Sequence, residues 1–166
     1  MTGTAGPDAR AVIEQLAEAG FTIAVAESLT GGLVAAALTA VPGASAVVSG
    51  GVVSYSTAIK HSVLGVSREL LDIRGPVDPD VAAQMASGVR RVLAIDGTPA
   101  DVGVATTGVA GPGAHDGHPA GTAFVAVDVR GELKVIHLSL TGDRDAIRAG
   151  VVSESLAAIV NAVAAG

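Results

Sequence analysis

The sequence predicts an α/β domain built on a mixed, mostly parallel sheet with helices covering both faces. Three observations lead there. The segments "FTIAVA", "DVGVATTG" and "GTAFVAVDV" are nearly unbroken runs of apolar or small residues, as expected of strands buried on both sides. Segments with one apolar helical face precede and follow the early strands. The last three strand segments come in succession, and "RGE" turns the second of them into the third, so one pair must be antiparallel. At 166 residues the chain is read as one domain, residues 1–166, large enough to bury a core.

Taken in order, "DARAVIEQLAEAG" puts Val12, Ile13 and Leu16 on one helical face, with Asp8 as its cap and Gly20 as its stop. "FTIAVA" is a buried strand. Gly31 or Gly32 opens a short helix, "LVAAALTAV", that ends at Pro42. "AVVSGGVVSY" reads as a strand with a bulge at Gly50 and Gly51, since paired glycines weaken a regular ladder. A helical stretch begins near Thr57 and a short one lies at "SRELLD". "VDPDVAAQMASGVRRVLAI" carries the clearest helix start, with Asp78 as cap and Pro79 in the first turn. After the three strands, a helix from about Asp143 aligns Ile147, Val151, Ile159 and Val163 on one face.

Composition narrows the function. The only aromatic residues are Phe21, Tyr55 and Phe124, and the net charge is -6. Stacking platforms for single strands are therefore scarce, and the charge opposes a polyanion, so nucleic acid is not an expected partner. With no cysteine there is no disulfide, thiolate nucleophile or sulfur-bound metal. "MTGTAGPDAR" lacks the features of a secretion signal, and Gly, Pro or polar residues interrupt every apolar run of bilayer-spanning length. A soluble cytoplasmic protein without a membrane partner is expected.

Four stretches carry candidate chemistry. In "AESLTGG", Ser28 and Thr30 lie where a strand runs into a helix. Unpaired helix-start amides near Thr30, Gly31 and Gly32 would favour a phosphate or a developing oxyanion there. The plain alternative is that Ser28 and Thr30 only cap the helix. In "SYSTAIK", Tyr55 stands at a strand end and Lys60 five residues on, so that the tyrosine would relay a proton or hold the lysine amine in place. A lysine serves as a base for a serine hydroxyl if burial holds it neutral; otherwise Lys60 is a solvated charge. The stretch from Thr106 to Thr122, "TTGVAGPGAHDGHPAGT", has a ligand-loop composition but neither a Walker nor a Rossmann pattern. Its His115, Asp116 and His118 lack the spacing of a built metal site, and no metal is assigned. In "TGDRDAIR", Arg144 and Arg148 share a helical face and suit a phosphate or carboxylate, with a solvated first turn as the alternative.

Together, "AESLTGG", "YSTAIK", "GVAGPG", "HPAGT" and "GDRDAIR", in this order, resemble the CinA C-terminal domain family over nearly the whole chain. The resemblance implies a three-layer α/β/α sandwich, usually a homodimer. The implied activity is hydrolysis of nicotinamide mononucleotide to nicotinic acid mononucleotide and ammonia, with no cofactor and a small nucleotide as the partner. Longer members carry an N-terminal pyrophosphatase domain, for which 166 residues leave no room, so that activity is not expected. By position, the family's nucleophile falls on Ser28, its tyrosine on Tyr55 and its lysine on Lys60. Thr30, Gly31 and Gly32 are the oxyanion candidates, and Thr107, Gly108, Gly111, Gly113 and Arg144 the substrate-binding ones. The sequence departs from the family's usual pattern at Leu29, generally cysteine, Thr57, generally asparagine, Asp78, generally serine, and His118, generally lysine. Leu29 and Asp78 read as structural, whereas Thr57 and His118 bear on ligand contacts. A binding module without turnover, or an amidase for another carboxamide, fits the same residues.

Overall fold

The structure is a computed structural model that describes residues 8–166, so most of the stretch "MTGTAGPDAR", on which the expected absence of a secretion signal rests, lies outside the described residues. Helix α1 (Ala9–Ala19) opens where the Asp8 carboxylate accepts the Ala11 amide at 3.0 Å, and it closes at Gly20. Strand β1 (Ile23–Glu27) is buried throughout. Then come α2 (Leu33–Thr39), a single 3-10 turn, β2 (Val48–Val53), α3 (Thr57–Ser62), α4 (Arg68–Arg74) and α5 (Pro79–Val92). The remainder is β3 (Val102–Gly108), β4 (Thr122–Val129), β5 (Glu132–Ser139) and α6 (Arg144–Ala165). Asp78 and Asp143 cap α5 and α6 through their side chains, as the sequence predicts.

The five strands form one sheet in the order β2-β1-β3-β4-β5. It is not mostly parallel. β1 runs parallel to β2 and β3, while β4 is antiparallel to both β3 and β5, an even division. The reason lies in the connections. Helices carry the chain from β1 to β2 and from β2 to β3, returning it to the starting end of the sheet. Residues 109–121 do not cross the sheet: Gly108 pairs with Ala123, so the loop leaves and re-enters at one end. The bulge in β2 falls one residue before the glycine pair, because Ile23 pairs with Val48 and Ala24 with Gly50.

Alternation along the strands divides the core in two. Ile23, Val25, Val102, Val104, Val125 and Val127 face α1, α2 and α6. Ala24, Ala26, Ala105 and Ala126 face the other way, toward α5. These small side chains bring α5 close to the sheet; a Cβ on Gly103 would collide with the Ala86 carbonyl. Cover fails at the β5 edge, where every residue except Leu138 is exposed. Helix α6 is long and apolar enough to cross a bilayer by length and composition. Here it packs against β4 and α1 and buries Ile147, Val151, Ile159 and Val163. Since β1 connects to a neighbour on one side and the chain then returns to β3 on the other, the direction of winding reverses between β1 and β3. In α/β sheets such a reversal opens a crevice at the carboxyl ends of the strands.

Candidate active site

Ser28 sits in that crevice, one residue past β1. Its amide donates to the Thr106 carbonyl at 3.0 Å, which extends the β1–β3 ladder and anchors the serine backbone. Lys60 arrives from α3, on the helix face turned inward. Its Nζ lies 2.9 Å from Ser28 Oγ and donates to the Ser54 carbonyl at 2.7 Å. Ser28 is 7 % exposed and Lys60 1 %. Burial disfavours the ammonium and lowers the Lys60 pKa from 10.5 to about 8. Two residues 32 apart in sequence are thus brought into contact by the β1–α2–β2–α3 unit.

Tyr55 is placed differently from the expectation that it holds or relays to the lysine. Its ring is 63 % exposed, and its hydroxyl accepts from Arg144 Nη2 at 3.2 Å. Arg144 also donates to the Gly111 carbonyl at 2.7 Å, so α6, the β2 end and the 109–121 loop meet at the pocket mouth. The lysine amine is held instead by Ser54 O.

The helix-start amides from Gly31 onward are already taken. Glu27, 1 % exposed, turns back onto the start of α2. Its carboxylate accepts from Gly32 N at 3.0 Å, Val34 N at 3.1 Å and Ala35 N at 2.8 Å. The positive end of the helix therefore already holds an internal anion. Gly31 N is committed to Ser28 O at 3.1 Å, and Thr30 Oγ1 to Thr106 Oγ1 at 2.8 Å. Thr30, Gly31 and Gly32 shape the turn but do not line the pocket, a correction to the oxyanion assignment. Gly31 and Gly32 have φ of 61° and 104°, which glycine adopts without the penalty other residues meet.

The pocket above the Ser28–Lys60 pair measures about 340 Å³, within the ~300–1,000 Å³ typical of small-molecule sites. Thr107, Gly108, Gly111, Gly113 and Arg144 all line it. Thr107 also has a structural bond, donating from Oγ1 to Pro76 O at 2.7 Å. A Cβ on Gly108 would lie 2.6 Å from the Thr122 carbonyl, so β3–β4 pairing demands glycine there. A Cβ on Gly113 would meet nothing within 4 Å, so packing within the chain does not demand glycine there. Of the four departures from the family pattern, Leu29 and Thr57 line the pocket and Asp78 and His118 do not. Among the described residues no cluster of three or more His, Asp or Glu is placed to hold a metal.

The roles of two contributors were not legible in sequence. The Ser54 carbonyl acts through backbone, which residue identity does not reveal. Glu27 is visible as a charge ending an apolar strand, but its role as a cap five to eight residues ahead depends on the tight turn.

Fold and site together define an α/β domain with a buried serine–lysine pair at the reversal point of its sheet. The chain belongs to the CinA C-terminal domain family, whose sequence profile matches residues 5–163. A CinA superfamily protein from Klebsiella pneumoniae has a TM-score of 0.89 at 34% identity, covering 95% of this chain and 96% of that one. A competence/damage inducible protein from Agrobacterium tumefaciens has a TM-score of 0.85 at 35% identity, covering 93% and 92%. In sequence, a Geobacillus kaustophilus protein named as competence-damage inducible is 50% identical over 137 residues, 82% of this chain and 32% of its own length. The chain spans about a third of the length of the curated relatives it matches.

Proposed function

We propose that this chain is an amidohydrolase that converts nicotinamide mononucleotide to nicotinic acid mononucleotide and ammonia through Ser28 and Lys60. The observation that carries this reading is the 2.9 Å contact between a buried lysine amine and a buried serine hydroxyl at the floor of an open pocket. With its pKa near 8, about a tenth of Lys60 is neutral at pH 7, roughly 300-fold more than for a lysine at 10.5. The neutral amine takes the hydroxyl proton as Ser28 Oγ bonds to the carboxamide carbon. The carbonyl π electrons move onto oxygen as the tetrahedral centre forms. On collapse, the C–N bond breaks, and the Lys60 ammonium protonates the departing nitrogen, giving ammonia and an acyl-serine. Water then adds to the ester carbon and gives its proton to Lys60. The C–Oγ bond breaks, and Ser28 regains its proton from Lys60. The nucleotide's pyridinium charge withdraws electrons from the amide carbon and suits an acidic protein.

Arg144 and Tyr55, joined at the mouth, are assigned to holding the substrate rather than to the proton path. The test is ammonia release from nicotinamide mononucleotide as pH is varied. We expect kcat/KM to rise through a midpoint near 8, and the rate to be lost in folded Ser28→Ala and Lys60→Met variants. A pH-independent rate, or full activity without Ser28, would sink the reading. Thr57 lines the pocket where asparagine is usual, which favours a second reading: the same acyl transfer on another carboxamide. Ammonia release across a carboxamide panel separates the two, and tight nucleotide binding without turnover would mark a binding module.

A further inference from the structure

The turn after Ser28 is held from outside by Arg148, a residue of α6 with no part in the steps above. Its Nε donates to the Leu29 carbonyl at 3.0 Å and its Nη2 to the Thr30 carbonyl at 3.3 Å. Its ion pair with Asp145 spans 3.7 Å to a side chain that is 92% exposed. Such a pair contributes little in water, so the two peptide carbonyls are the firm partners of the guanidinium.

What this grip controls follows from the planarity of the peptide unit: fixing a carbonyl fixes the N–H on the far side of the same plane. Holding the Thr30 carbonyl aims the Gly31 N–H, which donates to Ser28 O at 3.1 Å. That bond holds the Ser28 carbonyl and so aims the Leu29 N–H, the amide adjacent to the nucleophile. Leu29 is 4% exposed and lines the pocket, yet its amide donates to no acceptor among the described residues. Buried amides without a partner are rare and costly. Thr30 N is likewise unpaired, but Thr30 does not line the pocket. With Gly32 N taken by Glu27 and Gly31 N by Ser28, the Leu29 amide is the unpaired donor of this turn that belongs to a pocket-lining residue.

We infer that the Leu29 N–H receives the oxyanion formed at Ser28, and that Arg148 is the positioning residue that aims it. The inference rests on Ser28 acting as the nucleophile, but not on which carboxamide it attacks.

The test compares Arg148→Met, which removes both hydrogen bonds, with Arg148→Lys, which keeps the charge but replaces the two-nitrogen fork by one ammonium nitrogen. The probe is an alkyl fluorophosphonate. Ser28 Oγ bonds to phosphorus, fluoride leaves, the serine proton passes to Lys60, and the phosphoryl oxygen takes the oxyanion position. Removal of an oxyanion donor costs about 10²–10³ in rate, so mis-aiming one should slow phosphonylation and ammonia release about 10²-fold in Arg148→Met. Arg148→Lys should recover about tenfold of that, since one ammonium nitrogen replaces a fork that meets the two carbonyls with separate nitrogens. KM should stay within about twofold and the pH midpoint should not move, because Lys60 keeps its surroundings. In the wild-type adduct the Leu29 amide proton should shift downfield in an NMR spectrum, and in Arg148→Met it should not. Phosphonylation within about twofold of wild type in both variants overturns the inference. So does a rate loss that is entirely a displaced pH midpoint, which would give Arg148 a charge-balancing role. Wild-type protein that labels at Ser28 but releases no ammonia sinks the proposed substrate, while the labelling rates still decide Arg148. Absence of labelling at Ser28 overturns both. If Arg148→Met does not fold, Arg148→Lys decides alone.

Discussion

Replacing Lys60 by methionine tests the buried amine through stability rather than activity. In the folded chain its pKa falls from 10.5 to about 8, a displacement of about 2.5 units. At 1.36 kcal/mol per unit, that is about 3 kcal/mol of difference between the two protonation states. Between pH 8 and 10.5 the unfolded chain keeps a proton that the folded chain has released, so raising pH favours folding across this window. The stability contribution is fully present above 10.5 and is lost as pH falls through about 8. Methionine fills a similar volume and does not titrate. It also removes the bonds to Ser54 O and Ser28 Oγ, which offsets the whole comparison by about a constant. The diagnostic quantity is therefore the slope: wild type should gain about 3 kcal/mol on Lys60→Met from pH 7 to 11, with other titrating groups cancelling. Urea unfolding at fixed intervals of pH reads this as a relative midpoint change of about 1.5 M, taking a slope near 2 kcal/mol/M. Parallel stability curves would refute the argument and with it the supply of neutral amine near neutrality.

Glu27→Gln keeps the shape of the cap but removes the charge on three amides, so stability should fall by about 1–3 kcal/mol in chemical denaturation. Burial shields the interaction, and the loss should persist in ~1 M salt. Gly108→Ala and Gly113→Ala should separate fold from recognition. The first forces a Cβ to 2.6 Å from backbone and should lower stability by about 1–3 kcal/mol or more. The second meets open space and should leave Tm within a few degrees while raising KM for the nucleotide. Tyr55→Phe removes the Arg144 contact and should raise KM with kcat within about threefold. A loss of kcat near 100-fold would return Tyr55 to the proton path.

Much of the fold was legible because its signals are local. Asp8, Asp78 and Asp143 each announce a helix start, and the cap each makes is a bond to an amide two or three residues on. The apolar faces of α1 and α6 follow from spacing alone. The strand directions were less legible, since they depend on which end of the sheet the 109–121 loop returns to. At the site, the pairing of Ser28 with Lys60 came from family resemblance, because nothing between positions 28 and 60 encodes their contact. The helix-start reading failed for a physical reason. The same electropositive amides that would attract a ligand had attracted the nearest carboxylate in the chain, Glu27. Arg148 was seen as sharing a face with Arg144, but its grip on two main-chain carbonyls leaves no mark in composition.

The stretch between β3 and β4 has a consequence for how such a domain diversifies. One uninterrupted excursion, residues 109–121, supplies much of the pocket wall, while the serine and lysine are anchored through β1 and α3. Under the proposed function, altering that excursion would change which molecule is admitted without disturbing the contact between Ser28 and Lys60. Selectivity and reactivity would then be separable inheritances, and one could drift while the other stood still.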